Sequence, residues 1–256
     1  MKSSCSTNFS YNYYKKILIV IKENWHAKLF KEVPNFINYS IFKKPIILLR
    51  HDIDLSLDSA IKIARIEQEY GISSCFMIMT NSPFYSIKDK KKILYIKNLD
   101  HEIGLHFNFG IRDNNNKINV DKFINEMNNQ ANLLKDIISE DIYSISFHRP
   151  LPQLCKGSLY VGNRINAYSL ELMDWYLSDS KGNWREGNPL PKLKSPKKSI
   201  LQLLTHPFWW AEDDSSPNDK LEYFFQNCTK GLTISEKKKF DESLSNHLSI
   251  YRSGKL

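Results

Sequence analysis

The sequence predicts an α/β protein whose parallel sheet closes in the manner of a barrel. Three observations lead there. From Pro45 onward, short apolar runs alternate with amphipathic helical stretches, and repeated strand-helix units imply parallel strands joined by helical crossovers. The turn after the first strong strand, HDIDLSL, carries carboxylates and no glycine. It would repel the pyrophosphate that an open dinucleotide-binding sheet cradles. Polar residues also recur at the C-terminal end of nearly every expected strand, where parallel α/β proteins build their sites.

Residues 1–42, with the apolar stripe of YNYYKKILIVIKENW, read as an N-terminal helical extension ahead of a barrel domain spanning 43–256. Residues 45–50 form a buried strand, and 56–70 an amphipathic helix with Ser56 as cap and Asp58 in its first turn. A strand at 74–79, a lysine-rich helix at 87–98 and a strand at 102–107 follow. Beyond the polar loop NNNK come a long helix at 120–138 and a strand at 143–147. Two further strands are expected at 176–178 and 200–205. The tail from Lys220 reads as closing helices with no assigned chemistry.

With 256 residues the chain can bury the core of one large domain. Its formal charge of +8 comes mostly from lysines scattered among asparagines and isoleucines, which argues against a nucleic-acid partner. No apolar run is long enough for a membrane span. ILIVI at residues 17–21 is too short for a signal-peptide apolar region, so the expected location is cytoplasmic. Four cysteines, Cys5, Cys75, Cys155 and Cys228, lie far apart without a C-x-x-C pair, which indicates neither a zinc ribbon nor a disulfide framework.

The stretch HEIGLHFNFG, residues 101–110, comes close to the H-E-x-x-H zinc box. On a helix, His101 and His106 would lie about 140° apart, and on a strand they point to opposite faces. At most one of them belongs to a given site. In RHDID the period of two puts Asp52 and Asp54 on one face and His51 on the other. Two adjacent carboxylates repel unless a cation intervenes. The functional reading therefore makes Asp54 a ligand of a divalent metal and Asp52 a base acting on water; the plainer one makes Asp54 a helix cap.

The ordered series RHDID, HEIGLH, FHRP, SDS and LLTHP, spread over residues 45–210, resembles the NodB-type polysaccharide deacetylases of carbohydrate esterase family 4, and in particular a divergent branch associated with bacterial surface polysaccharides. The resemblance implies a distorted (β/α) barrel of about seven strands. It also implies one divalent metal, often zinc, and removal of acetyl groups from N-acetylated sugars, with an acetylated sugar or polysaccharide precursor as partner. By the same resemblance Asp52 is the catalytic base, Asp54 and His106 bind metal, and Arg149 orients the catalytic aspartate. Asp179 is the acidic residue of the next motif, and His206 the general acid. The family's second box histidine is missing, because Gly110 stands there. A substitute third ligand is needed, with His148 the first candidate and Asn108 the next. Trp209 and Trp210 are candidates for an apolar wall against a sugar ring, and Arg185 for a grip on a substrate carboxylate or phosphate. Two rival readings stand beside the deacetylase: a metal-free carbohydrate-binding or scaffolding protein on the same fold, and a hydrolase of another C–N or ester bond.

Overall fold

Strand β2 (Ile46–Ile53) is buried along its whole length, as a strand flanked on both faces must be. It organises the sheet seen in the computed structural model, which describes residues 8–38, 44–109, 119–150, 154–173 and 175–249. Ahead of β2 come α1 (Tyr11–Asn24), β1 (His26–Lys28) and the short α2 (Val33–Phe36). After it the chain alternates through α3 (Leu57–Glu69), β3 (Cys75–Ile78), α4 (Lys90–Lys97), β4 (Glu102–Phe107), α5 (Val120–Ile138) and β5 (Ser144–Phe147). A hairpin of β6 (Tyr160–Val161) and β7 (Arg164–Asn166) follows, then β8 (Tyr176–Ser178), α6 (Pro189–Lys194) and β9 (Ile200–Thr205). Helices α7 (Pro217–Cys228) and α8 (Ile234–Leu248) complete the described chain.

The strand order is β6-β7-β5-β4-β3-β2-β9-β8. From β7 to β8 every neighbouring pair is parallel, and only β6 runs antiparallel on its edge. The expected α/β class with about seven barrel strands is therefore found, as a curled sheet. Along one edge of β2, β1 pairs with residues 46–48 and β3 takes over at Arg50. Among the described residues no backbone pairing joins β8 to β7. Side chains bridge that gap: Gln202 Nε2 donates to the carbonyls of Ala167 (2.8 Å) and Leu172 (3.2 Å), and Arg50 Nη2 donates to the Tyr168 hydroxyl at 2.9 Å.

Alternation along the strands separates two cores. Ile47, Leu49 and Ile53 join Phe76, Ile78 and the helices in the larger outer core, whereas Ile46, Leu48, Cys75 and Met77 pack inside the curl against Phe30, Val33 and Phe36. The segment between β1 and β2 thus floors the barrel. Helix α1 buries Tyr14, Ile17, Leu18 and Ile21 in the outer core, so the N-terminal segment shares the core of the domain it was expected to precede. Gly104 marks the tightest point inside, where a Cβ would stand 2.4 Å from Met77 Sδ and 2.6 Å from Ser144 Oγ.

The residues facing away from the barrel mouth form their own network. Buried Glu67 accepts from Tyr14 Oη (2.6 Å) and Ser74 Oγ (2.6 Å) and lies 2.9 Å from His51 Nε2. His101 bonds the carbonyl of Ala64 through Nε2 (3.0 Å) and lies 3.2 Å from the Ser74 amide and hydroxyl through Nδ1. Burial works against the Glu67 charge, but His51 holds its carboxyl below the usual range. A carboxyl depressed on folding adds stability above its unfolded pKa of about 4.3, and that stability is lost as pH falls below it. Glu67→Gln is accordingly expected to be less stable at pH 7 and to lose less stability on acidification from pH 5. Urea midpoints across that range check this, and equal acid slopes for the two proteins would rule it out.

Candidate metal centre

At the C-terminal ends of β2, β4, β5 and β9 the inner face carries Asp52 with Asp54, His106, Ser146 with His148, and His206. Asp54 lies just past β2, where Ser56 rather than Asp54 caps α3 by accepting from the Ser59 amide. Freed from capping, the Asp54 carboxylate turns inward. Its Oδ1 stands 3.2 Å from His106 Nε2 and 3.3 Å from His148 Nδ1, and its Oδ2 stands 3.9 Å from His206 Nε2. One ligand atom from each of Asp54, His106 and His148 lies within 4.8 Å of the others.

The hydrogen bonds behind these atoms fix which nitrogens carry protons. Ser146 Oγ donates to Asp52 Oδ1 (3.2 Å), so at 2.6 Å from His106 Nδ1 it must accept. That places a proton on His106 Nδ1 and turns Nε2 to Asp54. His148 Nε2 meets the carbonyl of His247 at 3.1 Å and can only donate there, which turns Nδ1 to Asp54. Two imidazole nitrogens therefore face one buried carboxylate oxygen at 3.2 and 3.3 Å, and although burial works against its charge, His106 and His148 hold the Asp54 carboxyl well below the usual range. A proton on either ring or a divalent cation holds such a trio together, and the cation engages all three ligand atoms at once. Two imidazole nitrogens, one carboxylate oxygen and room for a further ligand make the donor set of a catalytic divalent-metal site such as zinc, with outer partners already orienting both rings. The residues present fit the ion. His148 stands with Asp54 and His106, whereas Asn108 Nδ2 is turned to Met79 Sδ. Gly110 lies outside the described residues.

Asp52 is only 2% exposed. Arg50 grips it in a fork, with Nε on Oδ1 at 2.8 Å and Nη2 on Oδ2 at 2.6 Å. Burial alone would raise this carboxyl, but Arg50, with His106 and His206 nearby, holds it down at about 2. Opposite stands His206, whose Nδ1 lies 2.6 Å from Asp179 Oδ1. Asp179 is further fixed by the His206 amide and by Trp210 Nε1 at 3.1 Å. Burial opposes a charge on His206, yet Asp179 in contact, with Asp54 and Asp52 beyond it, pushes the ring up to about 9. A narrow pocket lies between, lined by Asp52, Asp54, His206, Phe208, Trp209 and Leu248.

Of the residues singled out by sequence, Asp52, Asp54, His106, His148, Asp179 and His206 come together here. The other four, Arg149, Trp209, Trp210 and Arg185, do not take the places expected of them. Arg149 does not orient Asp52: it is exposed, with the backbone turning at φ 56°, and Arg50 takes both carboxylate oxygens because it shares the inner face of β2 two residues earlier. Trp209 and Trp210 form no open wall, each being 2% exposed. Trp210 packs against Phe9 ahead of α1, Tyr14 of α1 and Trp184 in the loop after β8, and Trp209, though buried, lines the pocket. Arg185 is exposed and is not among the pocket's lining residues. Sequence reasoning missed Arg50 and Ser146, for which R-x-D and S-x-H on one strand face were the available signals. It also missed the end of α8, for which there was none.

No family model matches the chain, and no curated protein matches it. Solved structures do match. They include the Streptococcus pyogenes deacetylase PplD in complex with acetate, at 14% identity over 82% of this chain and 84% of that one with a TM-score of 0.44. A CE4 esterase of Streptococcus mutans matches at 14% identity over 81% and 90% with a TM-score of 0.44. A third is BA3943, a CE4 family pseudoenzyme from Bacillus anthracis, at 12% identity over 76% and 65% with a TM-score of 0.41. The chain spans just under two thirds of the length of that last protein. At these identities the likeness is one of fold.

Proposed function

We propose that this chain is a metal-dependent hydrolase that removes an acetyl group from an N-acetylated sugar, with Asp54, His106 and His148 holding a divalent ion such as zinc. The observation that carries the reading is the convergence of Asp54 Oδ1, His106 Nε2 and His148 Nδ1 at the barrel mouth, with ligand atoms within 4.8 Å of one another. When bound, such an ion polarises a carbonyl and lowers the pKa of water from about 16 to about 7. Asp52 stays ionised beside it. Arg50 and Ser146 supply three donors to its two oxygens, and a carboxylate accepts about four, so room remains for one water proton. His206, kept cationic by Asp179, presents Nε2 on the other side of the pocket and can give its proton to the departing amine nitrogen. Water then supplies the oxygen of the released acetate, and the sugar leaves as a free amine.

A metal-free binding module is less well supported, because it gives no role to the convergence of Asp54, His106 and His148 beside His206. Among the described residues no helix is long and apolar enough to cross a membrane.

The test is elemental analysis of protein purified without chelator, followed by acetate release from a panel of N- and O-acetylated sugars. Asp52→Asn is expected to keep its metal and to lower turnover by roughly 10² to 10⁴, the range for removing a positioned acid or base. His206→Ala should keep its metal and lose activity over the same range. Wild-type turnover in Asp52→Asn would remove the base assignment, and an unchanged pH profile in His206→Ala the acid. Absence of metal after supplementation, together with no acetate release, would sink the whole reading.

A further inference from the structure

Helix α8 is largely solvent-facing for an element that ends at the site. Of its 15 residues only Leu244 and His247 are buried, and Ile234 at its start is 80% exposed. Its last turn nevertheless makes three contacts at the mouth. The carbonyl of His247 accepts from His148 Nε2 at 3.1 Å, the His247 ring stacks on the His148 ring at 4.4 Å and 22°, and Leu248 lines the pocket. One residue further on, the Ser249 carbonyl accepts from Lys181 Nζ at 2.9 Å. Phe84 packs on the helix from the β3 side, with its ring 5.2 Å from His247 in the last turn and 5.5 Å from Phe240 two turns earlier.

The last carbonyls of a helix have no partner within it and carry its partial negative charge. His148 satisfies one of them, and in return that carbonyl fixes the imidazole with Nδ1 towards Asp54. A carbonyl behind a ligating histidine sets its tautomer and raises its basicity. His106 obtains the same service from Ser146 on the neighbouring strand, inside the barrel wall. His148 obtains it from 99 residues away in sequence, on a helix outside the barrel wall that packs Phe240 against Phe84, Phe224 and Phe225.

We propose that the C-terminal turn of α8 is the positioning element of the metal site, acting through the His247 carbonyl on His148, so that metal binding and docking of α8 reinforce each other. This rests on the metal reading above. It also gives the closing helices a role in the site, as the part that makes a strand-end histidine serve as the third ligand.

Hydrogen exchange of the full chain with and without zinc tests the coupling, alongside zinc affinity and the absorption spectrum of the cobalt-loaded site in variants. Zinc is expected to slow amide exchange in residues 244–249 of the wild type by about 5- to 150-fold, the usual span of coupling between two sites. His148→Ala should abolish that slowing. Leu244→Gln, which loosens α8 without touching the site, should weaken zinc by about 10- to 100-fold, the usual effect of losing an outer partner, and alter the cobalt spectrum. Lys238→Ala on the exposed face of α8 should do neither. Zinc uptake by the wild type with unchanged exchange in α8 overturns the proposal while leaving the metal site standing. So does a loosened α8 with undiminished zinc affinity in Leu244→Gln. No uptake of zinc or cobalt by the wild type overturns the metal reading and this coupling with it. Should Leu244→Gln fail to fold, the wild-type and His148→Ala exchange data decide.

Discussion

Arg50→Met is expected to destabilise the protein by about 3 to 5 kcal/mol, the loss seen when one partner of a buried ion pair is removed. Arg50 is wholly buried, and its guanidinium is shared by three groups. Asp52 takes Nε and Nη2, Gln202 Oε1 accepts from Nη1 at 2.9 Å, and the Tyr168 hydroxyl accepts from Nη2 while its ring lies 4.5 Å from Cζ. Methionine fills much of the volume but donates nothing, so the Asp52 charge is left inside the barrel with only Ser146 to bond it. For a chain of this size each kcal/mol shifts the melting temperature by roughly 2 to 4 °C, so a drop of about 10 °C is expected in metal-free protein. Adding Asp52→Leu should recover part of the loss, because the stranded charge is then gone, while the gap left at Gln202 and Tyr168 remains. Thermal melts of the two single variants and the double variant measure this coupling. A loss below about 1 kcal/mol in Arg50→Met, within the range of an exposed pair, would show that Arg50 is not what holds Asp52.

How far this arrangement could be read beforehand depends on whether a residue's partner lies on its own strand or on a distant segment. The alternation in RHDID separates Asp52 and Asp54 from His51, and the separation holds: the carboxylates face the barrel mouth, and His51 faces Glu67 under α1. The strand at 102–107 and the helix at 120–138 have the bounds read from the sequence because each is long and strongly patterned. Strands β1, β6 and β7, with three residues or fewer, are too short to show a period of two and were not expected. Arg149 was favoured over Arg50 because FHRP matched a family motif, whereas the bond is decided by side-chain reach on one strand face. The paired tryptophans look like a sugar wall until the N-terminal segment covers them: Phe9 and Tyr14 pack on Trp210 from about 200 positions earlier in the chain, a contact no local pattern announces. The same holds for His247, whose contribution to the site is a backbone carbonyl that any residue type would offer.

His106→Ala is expected to release the metal and His101→Ala to retain it. The two histidines are five positions apart on or beside one strand, and the structure sends them in opposite directions. His106 points its Nε2 at Asp54 from inside the barrel, while His101 faces outward, 5.0 Å from the Phe76 ring, with its nitrogens bonded towards Ala64 and Ser74. Burial pushes the His101 ring below its ordinary value, so it remains a neutral structural group. Loss of His106 removes one of three protein ligands and leaves Asp54 and His148 as a pair, too few for tight zinc binding. The fall in affinity should therefore exceed the roughly 10- to 100-fold that outer partners contribute. Loss of His101 leaves the Ser74 amide and the Ala64 carbonyl short of a bond in a buried setting, at about 1 to 3 kcal/mol, with zinc affinity unchanged. His148→Ala should behave as His106→Ala does. Calorimetric titration of zinc into the three variants, with urea midpoints beside them, separates ligand from scaffold. Full affinity in His106→Ala together with loss in His101→Ala would reverse the faces of β4 and with them the metal site built on its inner side.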